Sequence, residues 1–259
     1  EFTQRIIPGG SLFIYNDDPG NLKLLPFLTT ESILTYGKSV TSDYQVKNIV
    51  PNTSGGYSFD VHKSTEKLVS THLQVPGLHN VMNALVTLAI AHHEGLDILS
   101  ASQALSEFRG TSRRFDILGE VGKITIIDDY AHHPTEIQAT LQAARTRYQG
   151  RKIWAIWQPH TYSRTKILFE EFSNSFSNAD HVIVSQIYAS REKDDGFSAA
   201  EVVKAMEHPD ARYIPSLIEI SDYLCEHLAT GDVMLVFSAG DATQISKDVL
   251  SRLIQKEQQ

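Results

Sequence analysis

Acids, histidines and arginines concentrate in four short segments. The densest is Asp128-Asp129-Tyr130-Ala131-His132-His133-Pro134-Thr135-Glu136, and the second is Pro159-His160-Thr161-Tyr162-Ser163-Arg164-Thr165. The other two are Ala189-Ser190-Arg191-Glu192-Lys193-Asp194-Asp195-Gly196 and Ser238-Ala239-Gly240-Asp241. Imidazoles exchange protons near neutral pH, and guanidinium groups hold carboxylate or phosphate oxygens in a fork. Arg164 lies where a helix is expected to begin, and a cation there opposes the helix dipole. That local cost suggests that Arg164 is present for an anion. Asp128, Asp129, His132 and His133 also have the donor types of a transition-metal site, which would suit a metal-dependent hydrolase. Adjacent ligands on one loop rarely converge without help from elsewhere. Pro134-Thr135-Glu136 has a structural reading too, with proline inside a first helical turn and an acid near its positive end.

Earlier, Gly77-Leu78-His79-Asn80-Val81-Met82-Asn83 leads into an apolar run. Asn80 suits an N-cap, and Asn83 lies on the same helical face. Two amides beside His79 offer donors and acceptors to the polar edge of a flat heterocycle. His92-His93, near Gly95, complements the negative end of the same helix. Gly37-Lys38-Ser39 has the ending of a phosphate-binding loop, but that loop needs glycine at position 32, where Ser32 stands. No G-x-G-x-x-G occurs either.

The elements that must carry these residues fall into two rhythms. Strands are expected over 11–15, 32–36, 44–50, 56–62 and 68–75, with turns at Pro51-Asn52 and Gly55-Gly56. A buried helix over 80–92, ended by Gly95, and a second over 98–108 follow. From about Gly110, strand and helix alternate: strand 123–128, helix 134–148, strand 154–158, helix 165–176, strand 181–188, helix 198–206, helix 217–228, strand 233–239 and helix 242–254. Apolar strands alternating with amphipathic helices predict a doubly wound α/β domain, a parallel sheet covered on both faces with its ligand at the carboxyl ends of the strands. The four polar segments follow those strands. The tail 255–259 is expected to fray.

The 259 residues suit one large or two ordinary domains, and 41% apolar content supports a real core. A formal net charge of -8 and the lack of a Lys/Arg run argue against nucleic acid, while a local cluster still suits a small anion. The single Cys225 cannot form an internal disulfide and is expected to be a buried thiol. No apolar run reaches the roughly 18 residues of a membrane span. The start, Glu1-Phe2-Thr3-Gln4-Arg5, lacks signal-peptide character, so the cytoplasm is expected. With Glu rather than Met first, a piece of a longer chain is expected.

GLHNVMNAL (77–85), RRFDILGE (113–120), DDYAHHPTEI (128–137), QPHTYSRT (158–165) and AGD (239–241), in this order, resemble the Mur ligases of peptidoglycan synthesis. SLFIYNDD and ILTYG resemble the end of that family's central ATP-binding domain. The resemblance implies that residues 1–110 are the rear of the central domain, without its phosphate loop, and that 111–259 form the Rossmann-like C-terminal domain. It implies ligation of L-alanine to UDP-N-acetylmuramate, with ATP, and with Mg²⁺ held mainly by the absent part of the parent chain. The partners implied are those two small molecules and the missing N-terminal and phosphate-loop regions, with no nucleic acid and no membrane.

At matching positions the resemblance implicates His79, Asn80 and Asn83 with adenine, Arg114 with the nucleotide phosphates and Asp129 with ribose. Tyr130, His132, His133, His160 and Arg164 fall on the muramoyl carboxylate and incoming alanine, with Arg114, His132 and Arg164 as catalytic candidates. Thr161 stands where the family's PHRYTRT form has its first arginine, Ala131 replaces a frequent glycine, and Phe237-Ser238-Ala239-Gly240 departs from the common G-A-G form. The rivals are the family's peptide-recycling ligase, the metal-dependent hydrolase described above, and a non-catalytic nucleotide-binding module.

Overall fold

The computed structural model describes residues 3–28, 32–194 and 196–258. Glu1, Phe2, Asp195 and Gln259, each part of a segment considered above, lie outside the described residues. The chain divides into two compact units, Glu1–Arg109 and Gly110–Gln259.

The first unit runs β1 (Ser11–Tyr15), α1 (Pro19–Leu24), β2 (Ser32–Gly37), β3 (Tyr44–Pro51), β4 (Tyr57–Lys63), β5 (Glu66–His72), α2 (Leu78–His93) and α3 (Ile98–Glu107). Its sheet has the order β1-β2-β3-β4-β5. The first three strands are parallel and the last two continue as an antiparallel meander. Helix α1 was not expected. Asp18 caps it by accepting from Gly20 N and Asn21 N, and Pro19 fills its first turn. Strand β5 begins earlier than the apolar pattern suggested, because Lys63 pairs with Glu66 across a tight turn with Ser64 at φ 53°. It also ends earlier, at His72 rather than Val75. Tyr44, Phe59 and Val61 of the sheet pack against Val81, Leu85 and Leu88 of α2 to form the core.

Asn80 does not cap α2. The helix starts at Leu78 behind Gly77, which sits at φ 98° with no room for a Cβ against the His79 ring. His92 and His93 do more than complement a dipole. Tyr44 Oη lies 3.0 Å from His92 Nδ1, and Ser11 Oγ lies 2.9 Å from His93 Nε2. The Gly37-Lys38-Ser39 loop holds a carboxylate in place of a phosphate: Lys38 N and Ser39 N donate to Asp17 at 2.7 and 3.0 Å.

The second unit runs β6 (Asp116–Val121), β7 (Ile124–Asp129), α4 (Pro134–Arg147), β8 (Ile153–Trp157), α5 (Tyr162–Ile167), α6 (Phe169–Ser173), β9 (His181–Val184), α7 (Ala199–Ala205), β10 (Ala211–Tyr213), α8 (Leu217–His227), β11 (Val233–Phe237) and α9 (Thr243–Glu257). The six-stranded sheet has the order β10-β9-β8-β11-β7-β6. Five strands are parallel; β6 is an unexpected antiparallel edge. β7, β8 and β11 are continuous apolar runs because both faces are covered. Ile127, Trp157 and Leu235 face α4, α6 and α7, whereas Ile126, Ile156 and Met234 face α8 and α9.

The chain returns last to insert β11 between β7 and β8. Three strand ends from distant stretches of sequence thus lie side by side. The helix expected over 165–176 starts earlier and breaks at Leu168 (φ -105°, ψ 28°). At the carboxyl end, α9 continues to Glu257 instead of fraying from 255. Cys225 is half-buried rather than buried. No helix among the described residues is long and apolar enough to cross a membrane.

Candidate functional site

At the end of β7 two neighbouring aspartates have different tasks. Asp129 is 5% exposed, and its oxygens accept from Ala131 N at 2.7 Å and Phe115 N at 2.8 Å. The Thr140 hydroxyl lies 3.4 Å away. Burial raises the Asp129 pKa against the pull of those donors. Phe115 and Arg113 both sit at positive φ, at 50° and 60°, a conformation costly for bulky residues. The Phe115 N–H bond to Asp129 offsets part of that strain. In this closed geometry Asp129 shapes the loop. Asp129→Asn should therefore lower stability by roughly 1–3 kcal/mol, because an amide NH₂ would face a backbone N–H. Denaturant unfolding reads this; an unchanged midpoint would show that the carboxylate does not hold the loop.

Asp128 is 3% exposed and lies 3.6 Å from Arg113 Nε. Asp128 Oδ1 and Arg113 Nε are both buried without a hydrogen-bond partner. Burial pushes the Asp128 pKa from 3.8 to about 6, only partly opposed by Arg113. The folded chain then binds this proton more tightly than the unfolded chain. The contribution favours folding below about pH 4 and is lost as pH rises through about 6. Relative to wild type, Asp128→Asn should gain up to roughly 3 kcal/mol between pH 4 and pH 7. Urea unfolding across that range checks it, and a constant gap would refute the raised pKa.

Arg113 also donates to Ser238 O at 2.5 Å and lies 4.8 Å from the Tyr130 ring. It joins the entry to β6 with the ends of β7 and β11. Arg114, the expected phosphate ligand, is exposed, with its guanidinium 6.0 Å from the same ring. His133 caps α4: its Nδ1 accepts from Thr135 N at 3.3 Å, and Glu136 answers with bonds from His133 N and His132 N. That imidazole fixes the helix start through its Nδ1.

At the end of β8, Arg164 Nη1 lies 3.3 Å from His160 Nδ1. Thr161, at φ 65°, caps α5 by accepting from Arg164 N. Glu192, from the loop after β9, accepts from Ser163 N at 2.9 Å and from the Ser163 hydroxyl. The His160 ring stacks on Tyr188 and lies 6.1 Å from that of His132. Burial, Arg164 and His132 together hold the His160 pKa below its ordinary value.

Sequence reasoning missed Gln158, which is 3% exposed. Its amide donates to Asp241 Oδ1 at 2.7 Å and accepts from Ser238 Oγ at 2.8 Å and Ala242 N at 3.1 Å. A Cβ on Gly240 would stand 2.6 Å from both Gln158 Oε1 and Tyr188 Cγ. Gly240 is required by this close approach. The available signal was a lone amide directly after a wholly apolar strand.

The second unit thus brings together Tyr130, His132, His160 and Arg164, with Arg113 and Gln158 behind them. In the first unit, Asn80 Nδ2 donates to Pro76 O at 2.7 Å and Asn83 Nδ2 to Asn80 Oδ1 at 3.4 Å, while His79 is exposed. Asp128, Asp129, His132 and His133 do not converge, since each is engaged separately. Among the described residues no group of three or more His, Cys, Asp or Glu is placed to hold a metal ion. These residues do not fit Mg²⁺.

Two models of one family cover most of the sequence. The Mur ligase middle domain matches residues 1–91, and the Mur ligase glutamate ligase domain matches residues 113–240. The chain belongs to the Mur ligase family. It is 42% identical over 254 residues to the UDP-N-acetylmuramate–L-alanine ligase of Alkaliphilus metalliredigens, covering 97% of this chain and 55% of the relative. Among solved structures, the UDP-N-acetylmuramate-alanine ligase of Thermotoga maritima superposes with a TM-score of 0.77 at 27% identity, over 95% of this chain and 52% of that one. A murein peptide ligase from Psychrobacter arcticus gives 0.66 at 27% identity, over 94% and 51%. The chain spans about half the length of the relatives it matches.

Proposed function

We propose that this chain is part of an ATP-dependent ligase that joins L-alanine to UDP-N-acetylmuramate in peptidoglycan synthesis, working in the cytoplasm. The observation that carries the reading is the 42% identity to a ligase of that name across 97% of the chain. The placement of His132, His160 and Arg164 at adjoining strand ends suits it, because this chemistry needs a proton acceptor and fixed cations. Residues 1–110 are assigned to the rear of the central ATP-binding domain and 111–259 to the C-terminal ligase domain. Mg²⁺ is assigned to parts of the protein outside this stretch.

The muramoyl carboxylate attacks the γ-phosphorus of ATP and becomes an acyl phosphate as the bond to the bridging oxygen breaks and ADP leaves. The alanine amine then attacks that carbonyl, and phosphate leaves. Negative charge grows on oxygen in both steps, where fixed cations help most. Arg164 and Arg114 are assigned that task, and His132 takes the proton that frees the amine. Tyr130 and His160 line the acceptor side, and His133 holds the loop that carries Tyr130. In the first unit, His79, Asn80 and Asn83 are assigned to the adenine edge.

The test is phosphate release by the full-length protein with ATP and UDP-N-acetylmuramate. Release that requires L-alanine supports the reading. Release that requires a peptide and ignores alanine would turn the assignment to the recycling ligase.

A further inference from the structure

His132 and His160 lie on neighbouring strand ends, and their hydrogen bonds differ in kind. His132 Nδ1 is 2.9 Å from Tyr130 O and 3.7 Å from Glu136 Oε2. Both neighbours are acceptors, so His132 Nδ1 carries the hydrogen. His160 Nδ1 is 3.3 Å from Arg164 Nη1. A guanidinium only donates, so His160 Nδ1 carries the lone pair. We infer that the two histidines are locked in opposite neutral tautomers, His132 offering a basic Nε2 and His160 an Nε2–H donor. This deepens the proposed ligase reading and rests on it for the substrate.

The ring geometry supports the lock. Protonating His160 would set an Nδ1–H against the Arg164 N–H. The groups that face it are Arg164 from α5, His132 from the loop after β7, Glu192 from the loop after β9 and Tyr188. The depressed pKa follows from burial first, then Arg164 and His132, with Glu192 opposing. Tyr188 stacks at 5.8 Å and 23°, and Gly240 approaches the Tyr188 ring so closely that a Cβ there would stand 2.6 Å from its Cγ. A flip of the His160 ring would sacrifice the Arg164 bond.

Amide formation from an acyl phosphate needs one acceptor and one donor at the same carbonyl. The alanine ammonium gives one proton to His132 Nε2, and the freed nitrogen forms the N–C bond. The carbonyl oxygen becomes anionic, and His160 Nε2–H donates to it without transferring its proton. As the carbonyl re-forms, the C–O bond to phosphorus breaks and its electron pair leaves with the phosphate. The second nitrogen proton goes to that phosphate, giving HPO₄²⁻. Histidines locked in one common tautomer would supply only one of the two functions.

Long-range ¹H–¹⁵N spectra of the labelled 259-residue chain at pH 7.5 read the tautomers directly, with His132→Gln and His160→Gln assigning the signals. The expected result is protonated Nδ1 on His132 and protonated Nε2 on His160. In Arg164→Gln, the His160 titration midpoint should move up toward the ordinary 6.5. A matching pair of tautomers, a cationic His160 at pH 7.5, or a midpoint unmoved by Arg164→Gln overturns the lock. In the full-length protein, His160→Gln should lower turnover about a hundredfold by removing the donor to the anionic oxygen. Unchanged turnover in His160→Gln would overturn that role. The spectra do not depend on the reaction, so the tautomers and the ligase reading fail separately.

Discussion

Expressed alone, the 259-residue chain should fold, bind Mg-ATP no more tightly than about millimolar, and release no phosphate in response to L-alanine. Folding is expected because each unit has its own core. The second unit covers both faces of a six-stranded sheet with helices of its own. Weak binding is expected because contacts to phosphate dominate the affinity for a charged nucleotide. The one sequence that imitates a phosphate loop, Gly37-Lys38-Ser39, already spends the amides of Lys38 and Ser39 on Asp17. The base contacts proposed for His79, Asn80 and Asn83 would persist without those to phosphate. A hydrogen bond to a charged group contributes roughly 1.5–3 kcal/mol, so losing three weakens binding at least about a thousandfold. Calorimetric titration with Mg-ATP, beside a phosphate-release assay containing UDP-N-acetylmuramate and alanine, measures both. Micromolar binding, or phosphate release above blank, would show that these residues hold the whole nucleotide site.

The parallel strands were legible because burial on two faces leaves a simple mark. VMLVF at 233–237 and IWAIW at 153–157 have no polar position to mislead. β6 was hidden for the opposite reason. It is an edge strand beginning with Asp116, and its register slips between Ile117 and Gly119, so its alternation is broken. The break at Leu168 was hidden because Phe169, Phe172 and Phe176 keep a helical spacing across the same core. Propensity and pattern favour one helix there, while the Thr161 cap starts α5 ahead of the pattern.

In the site, His160 and Arg164 were legible from their place after a strand. Arg113 was not, although it stands beside the residue chosen. Its role depends on a left-handed backbone and on Ser238, 125 positions away in sequence. The metal-like look of Asp128, Asp129, His132 and His133 was a false signal. Their spacing along one loop says nothing of where the side chains point, and here they diverge to Arg113, Ala131, Tyr130 and Thr135. The aspartates differ because Asp129 meets backbone donors, whereas Asp128 has the Arg113 guanidinium 3.6 Å away.

In the full-length protein, Arg164→Ala should lower turnover by about 10²–10³-fold, or roughly 2.7–4 kcal/mol of transition-state stabilisation, with the fold intact. The fold should survive because α5 spans only Tyr162–Ile167, alanine is a good helix former, and the Thr161 cap and the Glu192 bond to Ser163 use other atoms. Arg164 lies half-buried in that six-residue helix, among the basic residues of its last turn. Its guanidinium donates to His160 Nδ1. On the proposed mechanism the variant removes two things together: a cation near the oxygens that gain charge, and the donor that fixes the His160 tautomer. Arg164→Lys should fall between wild type and alanine, since an ammonium keeps the charge but loses the planar fork. Arg164→Ala and His160→Gln should cost much less together than the sum of their separate effects, because the two side chains act as one unit. Steady-state turnover of the four proteins in that cycle, with thermal unfolding as control, settles the matter. Full turnover in the alanine variant, or strict additivity in the cycle, would remove the Arg164–His160 pair from the mechanism.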